Sequence, residues 1–158
     1  MFVYLNLLYK TVKGIKRNTQ FIVDASVVVK WLCRDREQLL DRSDAILYAF
    51  RKDEFDLYAP ELLSYEAGNA LLKGKRLTTQ EARVAFATLF YLEIHLVPID
   101  SILSQRIYEI AQKIGITFSD AAYMALAEDM RIPLITANPK HHKAVDRVEV
   151  IPLEKWGK

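Results

Sequence analysis

FIVDASVVV (21–29) opens as an apolar run of the buried-strand type and is then broken by Asp24 and Ser26. The natural reading is a strand that ends at Asp24 and a helix that opens near Ser26. Working outward, residues 37–51 carry helical spacing through Leu39, Leu40, Ile46, Leu47 and Phe50. LYAP (57–60) reads as a short strand ended by a proline suited to starting a helix, and ELLSYEAGNALLK (61–73) is that helix, stopped by Gly74. TTQE (78–81) has the form of a capping box for a helix running to about Tyr91, and HLVPI (95–99) is a strand. A helix from Ser101 to Ile114 is closed by Gly115, and SDAAYMALAEDM (119–130) forms another with Ser119 as its N-cap. PLITA (133–137) and VEVIP (148–152) supply two further strands. Short apolar strands alternating with helices predict a three-layer α/β/α sandwich around a mostly parallel sheet of four to five strands.

The chain has 158 residues, enough for one domain with a proper core. Its hydrophobic share of 51% and charged share of 27% suit a globular protein. The lone cysteine, Cys33, excludes an internal disulfide and fits a reducing, cytoplasmic setting; it reads as a small core residue rather than a nucleophile. No apolar run is long enough to span a bilayer. The opening MFVYLNLLY puts its apolar stretch before Lys10, the reverse of a signal peptide, so no export is expected. The net charge of +2 is uneven: residues 1–20 hold Lys10, Lys13, Lys16 and Arg17 and no acid, which leaves the rest at −2. A protein that holds nucleic acid through its general field would be far more basic.

In an open parallel sheet, sites collect beyond the carboxyl ends of the strands. Asp24 ends the first strand, Glu66 lies in the helix after the second, Asp120 opens a helix, and Asn138 follows the strand PLIT. Close carboxylates repel and take up protons unless a cation compensates them, and a hard, oxygen-liganded ion suits that role. Each residue also has a plain structural role open to it. Asp24 could cap the following helix, Glu66 could be a solvated helix residue, and Asp120 could be an acid favoured in a first turn.

The blocks VDASVVVKW (23–31), APELLSYEAGNALLK (59–73) and ITFSDAAYMALAEDMRIPLITAN (116–138) resemble, in order and spacing, the three motif blocks of PIN domains, nearest to the VapC-type toxins of toxin–antitoxin pairs. The resemblance covers roughly residues 21–153, and it divides the chain into an N-terminal extension (1–20) and a PIN-like nuclease domain (21–158). It implies a Mg²⁺- or Mn²⁺-dependent endoribonuclease that leaves a 5′-phosphate and a 3′-hydroxyl. Asp24, Glu66 and Asp120 match the family's metal-binding acids, while Ser26 and Thr136 match its ligand-orienting hydroxyls. Asn69, one turn beyond Glu66, could brace that carboxylate or simply be bonded within its helix. Asn138 departs from the pattern, since many members carry an acid there; an amide oxygen can hold a metal or its water but adds no charge. The resemblance also implies a homodimer and a small cognate antitoxin that inserts near the acidic crevice.

Lys30, Arg34, Lys73, Lys75, Arg76, Lys140 and Lys143 are candidate RNA phosphate contacts. Base preference would come from RNA shape and unstacked loops. His141-His142 is read as solvated, because adjacent residues rarely converge on one ion and hard cations prefer oxygen. Tyr65, Tyr123 and Met124 sit at helical spacings that suit core or dimer packing. The extension reads as an added helix packed on the body, a basic arm touching RNA, or an untranslated stretch misassigned as coding; Phe2, Tyr4, Leu5, Leu7 and Leu8 would be costly to leave in water, so a partly ordered segment is expected. Rival readings are an RNA-processing nuclease, a PIN-fold binding module weakened at Asn138, and a phosphotransfer receiver domain; the last would need paired acids after its first strand, where Asp24 stands alone.

Overall fold

The computed structural model of the chain describes residues 19–142 and 147–157; the extension lies almost wholly outside these residues, as does Lys143. Five strands form one sheet: β1 (Thr19–Val23), β2 (Phe55–Pro60), β3 (His95–Val97), β4 (Leu134–Thr136) and β5 (Val150–Pro152). Their order is β3-β2-β1-β4-β5, and every neighbouring pair is parallel. The helices are α1 (Ala25–Leu32), α2 (Leu40–Arg51), α3 (Leu63–Asn69), α4 (Thr79–Tyr91), α5 (Ser101–Ile114) and α6 (Phe118–Met130). The fold is the expected α/β sandwich. Helix α6 packs on β1, β2 and β4 with α5 outside it, while α1 gathers α2, α3 and α4 into the other layer.

The two central strands explain why the apolar run at 21–23 is unbroken. Ile22 and Val23 are fully buried, and so are Leu134 and Ile135 on β4 beside them, because both faces of a parallel sheet are covered. Helix α6 is similarly apolar all round, with residues Ala121 to Ala127 buried in succession, as a helix pressed between a sheet and another helix must be. Phe21, Phe55 and Trp156 close the opposite end of the sheet with edge-to-face ring contacts.

Most helix ends follow the sequence signals. Thr78 and Glu81 form the reciprocal capping box, and Gly115 ends α5 at φ 74°. Two differ. Gly74 does not stop the helix after Asn69; the backbone widens instead into a π-helical segment, Ala70–Lys75, that ends with Arg76 in the left-handed region. Lys75 holds this extra turn, donating to the Asp35 carbonyl and pairing with Glu37. Such tertiary anchoring outweighs a single glycine's weak helix-breaking tendency. Helix α6 is capped by Thr117 rather than Ser119: the Thr117 hydroxyl accepts from the Asp120 amide at 3.0 Å. The first strand also begins at Thr19, two residues before the expected domain boundary. Among the described residues, no helix is long and apolar enough to cross a membrane.

Candidate active site

The sheet order reverses direction between β1 and β4, and a crevice opens beyond the carboxyl ends of strands at such a point. Asp24 follows β1 there, and Thr136 is the last residue of β4. Although Asp24 stands at the N-cap position of α1, its side chain makes no capping hydrogen bond. Its Oδ2 instead accepts from the Ser26 hydroxyl at 2.6 Å and the Thr136 hydroxyl at 2.7 Å. Those hydroxyls in turn accept from the backbone amides of Ala137 and Asn138, each at 3.0 Å. Both amides lie in the chain just beyond β4, so a continuous hydrogen-bonded clamp joins the ends of the two strands. Only 6% of Asp24 is exposed, and fixing it this firmly stabilises one orientation of an ionised carboxylate.

Glu66 projects from α3. Burial raises its carboxyl above the ordinary glutamate value, and the charges of Asp24 and Asp120 push it further, against the hydrogen bonds of Tyr123 and Ser119 that lower it. The Tyr123 hydroxyl donates to Glu66 Oε2 at 2.6 Å. Asp120 is set by the cap of α6, where the Thr117 hydroxyl donates to its Oδ2 at 2.8 Å; exposed His141 stands with Nδ1 3.8 Å from Oδ1. The charges of two acids from distant parts of the sequence, Asp24 and Asp120, therefore both bear on Glu66.

Other expected site residues are placed differently. Asn138 lends its backbone to the clamp, but its side chain is on the exposed surface. Asn69 is exposed and lines a groove of about 420 Å³ with Tyr65, Gly68, Leu72 and Phe86. Tyr123 and Ser119, not Asn69, are the hydrogen-bond partners of Glu66. Lys30 and Lys75 do not face solvent. Both pair with Glu37, and their side chains are 8% and 10% exposed. Arg34 is held in a two-pronged pair with Asp44 at 2.8 and 3.0 Å. Lys73, Arg76 and Lys140 are exposed. His142 corrects the solvated reading: only 3% is exposed, its Nδ1 donates to the Asn138 carbonyl, and its Nε2 has no partner among the described residues. Tyr123 is fully buried, as core packing requires, but its hydroxyl reaches the site, which periodicity alone does not reveal.

Among the described residues, no three His, Cys, Asp or Glu side chains already converge at metal-ligand spacing. The chemistry of the set nonetheless suits a hard divalent cation. The donors are oxygen, the charge is negative, and Glu66 is penalised for ionising beside Asp24 and Asp120. A Mg²⁺-like ion needs only one or two carboxylates beside its own waters.

That penalty gives a testable sign. Native Glu66 binds its proton more tightly than the unfolded chain does, so its contribution favours the native state at low pH. The advantage fades as pH rises from the ordinary value of 4.5 through the raised native one. In metal-free protein, Glu66→Gln is therefore expected to raise thermal stability near neutral pH, with the gain shrinking towards about pH 4.5. Calorimetry of both proteins across that range checks it. A variant less stable than wild type at neutral pH would show that the charge is not the burden inferred.

Similar folds occur in solved structures. A toxin–antitoxin complex from Klebsiella pneumoniae matches with a TM-score of 0.62 at 16% identity, covering 84% of this chain and 96% of that one. VapBC2 from Rickettsia felis, bound to a DNA fragment from its promoter, matches at 0.61 with 12% identity, over 85% and 98%. PAE2754 from Pyrobaculum aerophilum matches at 0.60 with 24% identity, over 86% and 90%. No curated protein matches in sequence. The sequence profile of the PIN domain matches residues 21–148, which span β1 to β4 and every acid of the crevice, and the chain belongs to the PIN domain family.

Proposed function

We propose that this PIN-domain protein is a metal-dependent endoribonuclease and the toxin of a toxin–antitoxin pair. The observation that carries the chemistry is Glu66 at the switch point of the sheet, whose carboxyl is raised by burial and by the charges of Asp24 and Asp120, a cost that a divalent cation relieves. The toxin assignment is supported by the match to PIN-fold proteins in toxin–antitoxin complexes, of which the Klebsiella and Rickettsia structures are two.

In this reading Asp24, Glu66 and Asp120 hold Mg²⁺ or Mn²⁺. Such an ion supplies an activated water near neutral pH and offsets charge on the phosphate. The clamp of Ser26 and Thr136 keeps the Asp24 oxygens in a fixed direction, so no reorganisation is needed as charge develops. Thr117 does the same for Asp120. Exposed Lys73, Arg76 and Lys140 are the proposed phosphate contacts, whereas the ion-paired Lys30, Lys75 and Arg34 are already engaged. A small antitoxin, a homodimer and a cytoplasmic setting complete the proposal.

The test is cleavage of an end-labelled structured RNA by purified protein in Mn²⁺, Mg²⁺ or EDTA. Cleavage in either metal, none in EDTA and none by Asp120→Asn is the expected pattern. Cleavage that survives EDTA or Asp120→Asn removes the proposed mechanism. A second reading, an RNA-binding PIN fold with weakened catalysis, draws on the neutral, outward-facing Asn138. Asn138→Asp separates the two: a gain from no cleavage to metal-dependent cleavage favours the binding module, while an already active wild type removes it.

A further inference from the structure

Tyr123 lies on α6 one turn beyond Asp120, fully buried, with its hydroxyl 2.6 Å from Glu66 Oε2. The hydroxyl thus ties α6, whose first turn carries the third acid, Asp120, to the carboxylate on α3. The His142 ring stands edge-on to the phenol ring, centroids 6.4 Å apart. A phenol stays protonated through the neutral range and so remains a donor to an ionised carboxylate.

We infer that Tyr123 is a positioning residue for the metal site, tying α6 to Glu66 and turning that carboxylate towards the crevice. The inference rests on the metal-holding role proposed above for Glu66. Its physical basis is that a carboxylate on a helix has several rotamers, and a buried donor selects one before any cation arrives. It also explains a tyrosine in a buried stretch otherwise built of alanines, Met124 and Leu126: a phenylalanine fills the same volume, and only the hydroxyl reaches across to α3.

The experiment is Mn²⁺ binding by wild type, Tyr123→Phe, Glu66→Gln and the double variant, followed through the electron paramagnetic resonance of free Mn²⁺. Circular dichroism and metal-free melting of each protein accompany the titration. Tyr123→Phe is expected to remain folded and to bind Mn²⁺ about 10-fold or more weakly, the size of effect that removal of a ligand's supporting partner has. In the Glu66→Gln background the same change is expected to have no further effect on Mn²⁺ affinity. Wild-type affinity in Tyr123→Phe overturns the positioning role, as does an equal loss in both backgrounds. Failure of the wild type itself to bind Mn²⁺ overturns the underlying metal reading instead, and the positioning role with it.

Discussion

Asp24→Asn is expected to lower metal-dependent RNA cleavage by more than about 100-fold, since loss of a supporting partner one step further out costs about 10–100-fold. The substitution keeps the volume and an oxygen acceptor but removes the charge. Its fold is expected to survive. The Ser26 and Thr136 hydroxyls each retain a backbone amide donor, from Ala137 and Asn138, and each has a lone pair free to receive the new amide. Cleavage rates at saturating Mn²⁺, with circular dichroism as the control for folding, check the prediction. A folded Asp24→Asn protein that cuts as fast as wild type would reduce Asp24 to a structural tie between β1 and β4.

The second large effect is on stability. Glu37 accepts from both Lys30 and Lys75, and although burial alone would raise its carboxyl, the two lysines hold it below the ordinary range. The arrangement pins the loop after α1 to the π-helical end of α3. Glu37→Ala leaves two largely buried ammonium groups facing each other, with only the Asp35 carbonyl and the charge of exposed Asp35 left beside Lys75. Breaking a fully buried pair costs about 3–5 kcal/mol, and with Glu37 partly exposed the loss is expected at the lower end, about 3 kcal/mol. For a chain of this size, about 3 kcal/mol corresponds to a fall in melting temperature of roughly 6–12 °C. Urea and thermal unfolding measure it, and a change under about 1 kcal/mol would class the triad with ordinary surface pairs. Because the native state holds Glu37 ionised, wild type also loses this contribution as pH falls through the depressed value.

The fold was legible because its signals are local and mutually consistent. The apolar run at 21–23, the capping box at Thr78 and the αL glycine at 115 each dictate structure within a few residues. Asp24 was legible for the opposite reason: an acid in an otherwise buried run is costly unless the fold uses it. What stayed hidden depends on partners far away in sequence. Lys75 continues the helix past Gly74 through Asp35 and Glu37, some forty residues earlier, and the same contacts withdraw Lys30 and Lys75 from any RNA surface. Thr117 and Ser119 are both capable caps, and only the path of the chain decides between them; with Thr117 capping, Ser119 is left for Glu66. Tyr123 has the periodicity of a core residue and is one, so nothing in its spacing distinguishes a buried ring from a buried ring with a working hydroxyl. Asn69 shows the converse, since a one-turn spacing places it near Glu66 on the helix without aiming it there.

The most direct test of the acidic crevice is anomalous diffraction from crystals soaked in Mn²⁺. A peak is expected beside the carboxylates of Asp24, Glu66 and Asp120, and its loss in crystals of Asp24→Asn. A Mn²⁺ peak bound elsewhere with none in the crevice, or one that persists unchanged in Asp24→Asn, would contradict it.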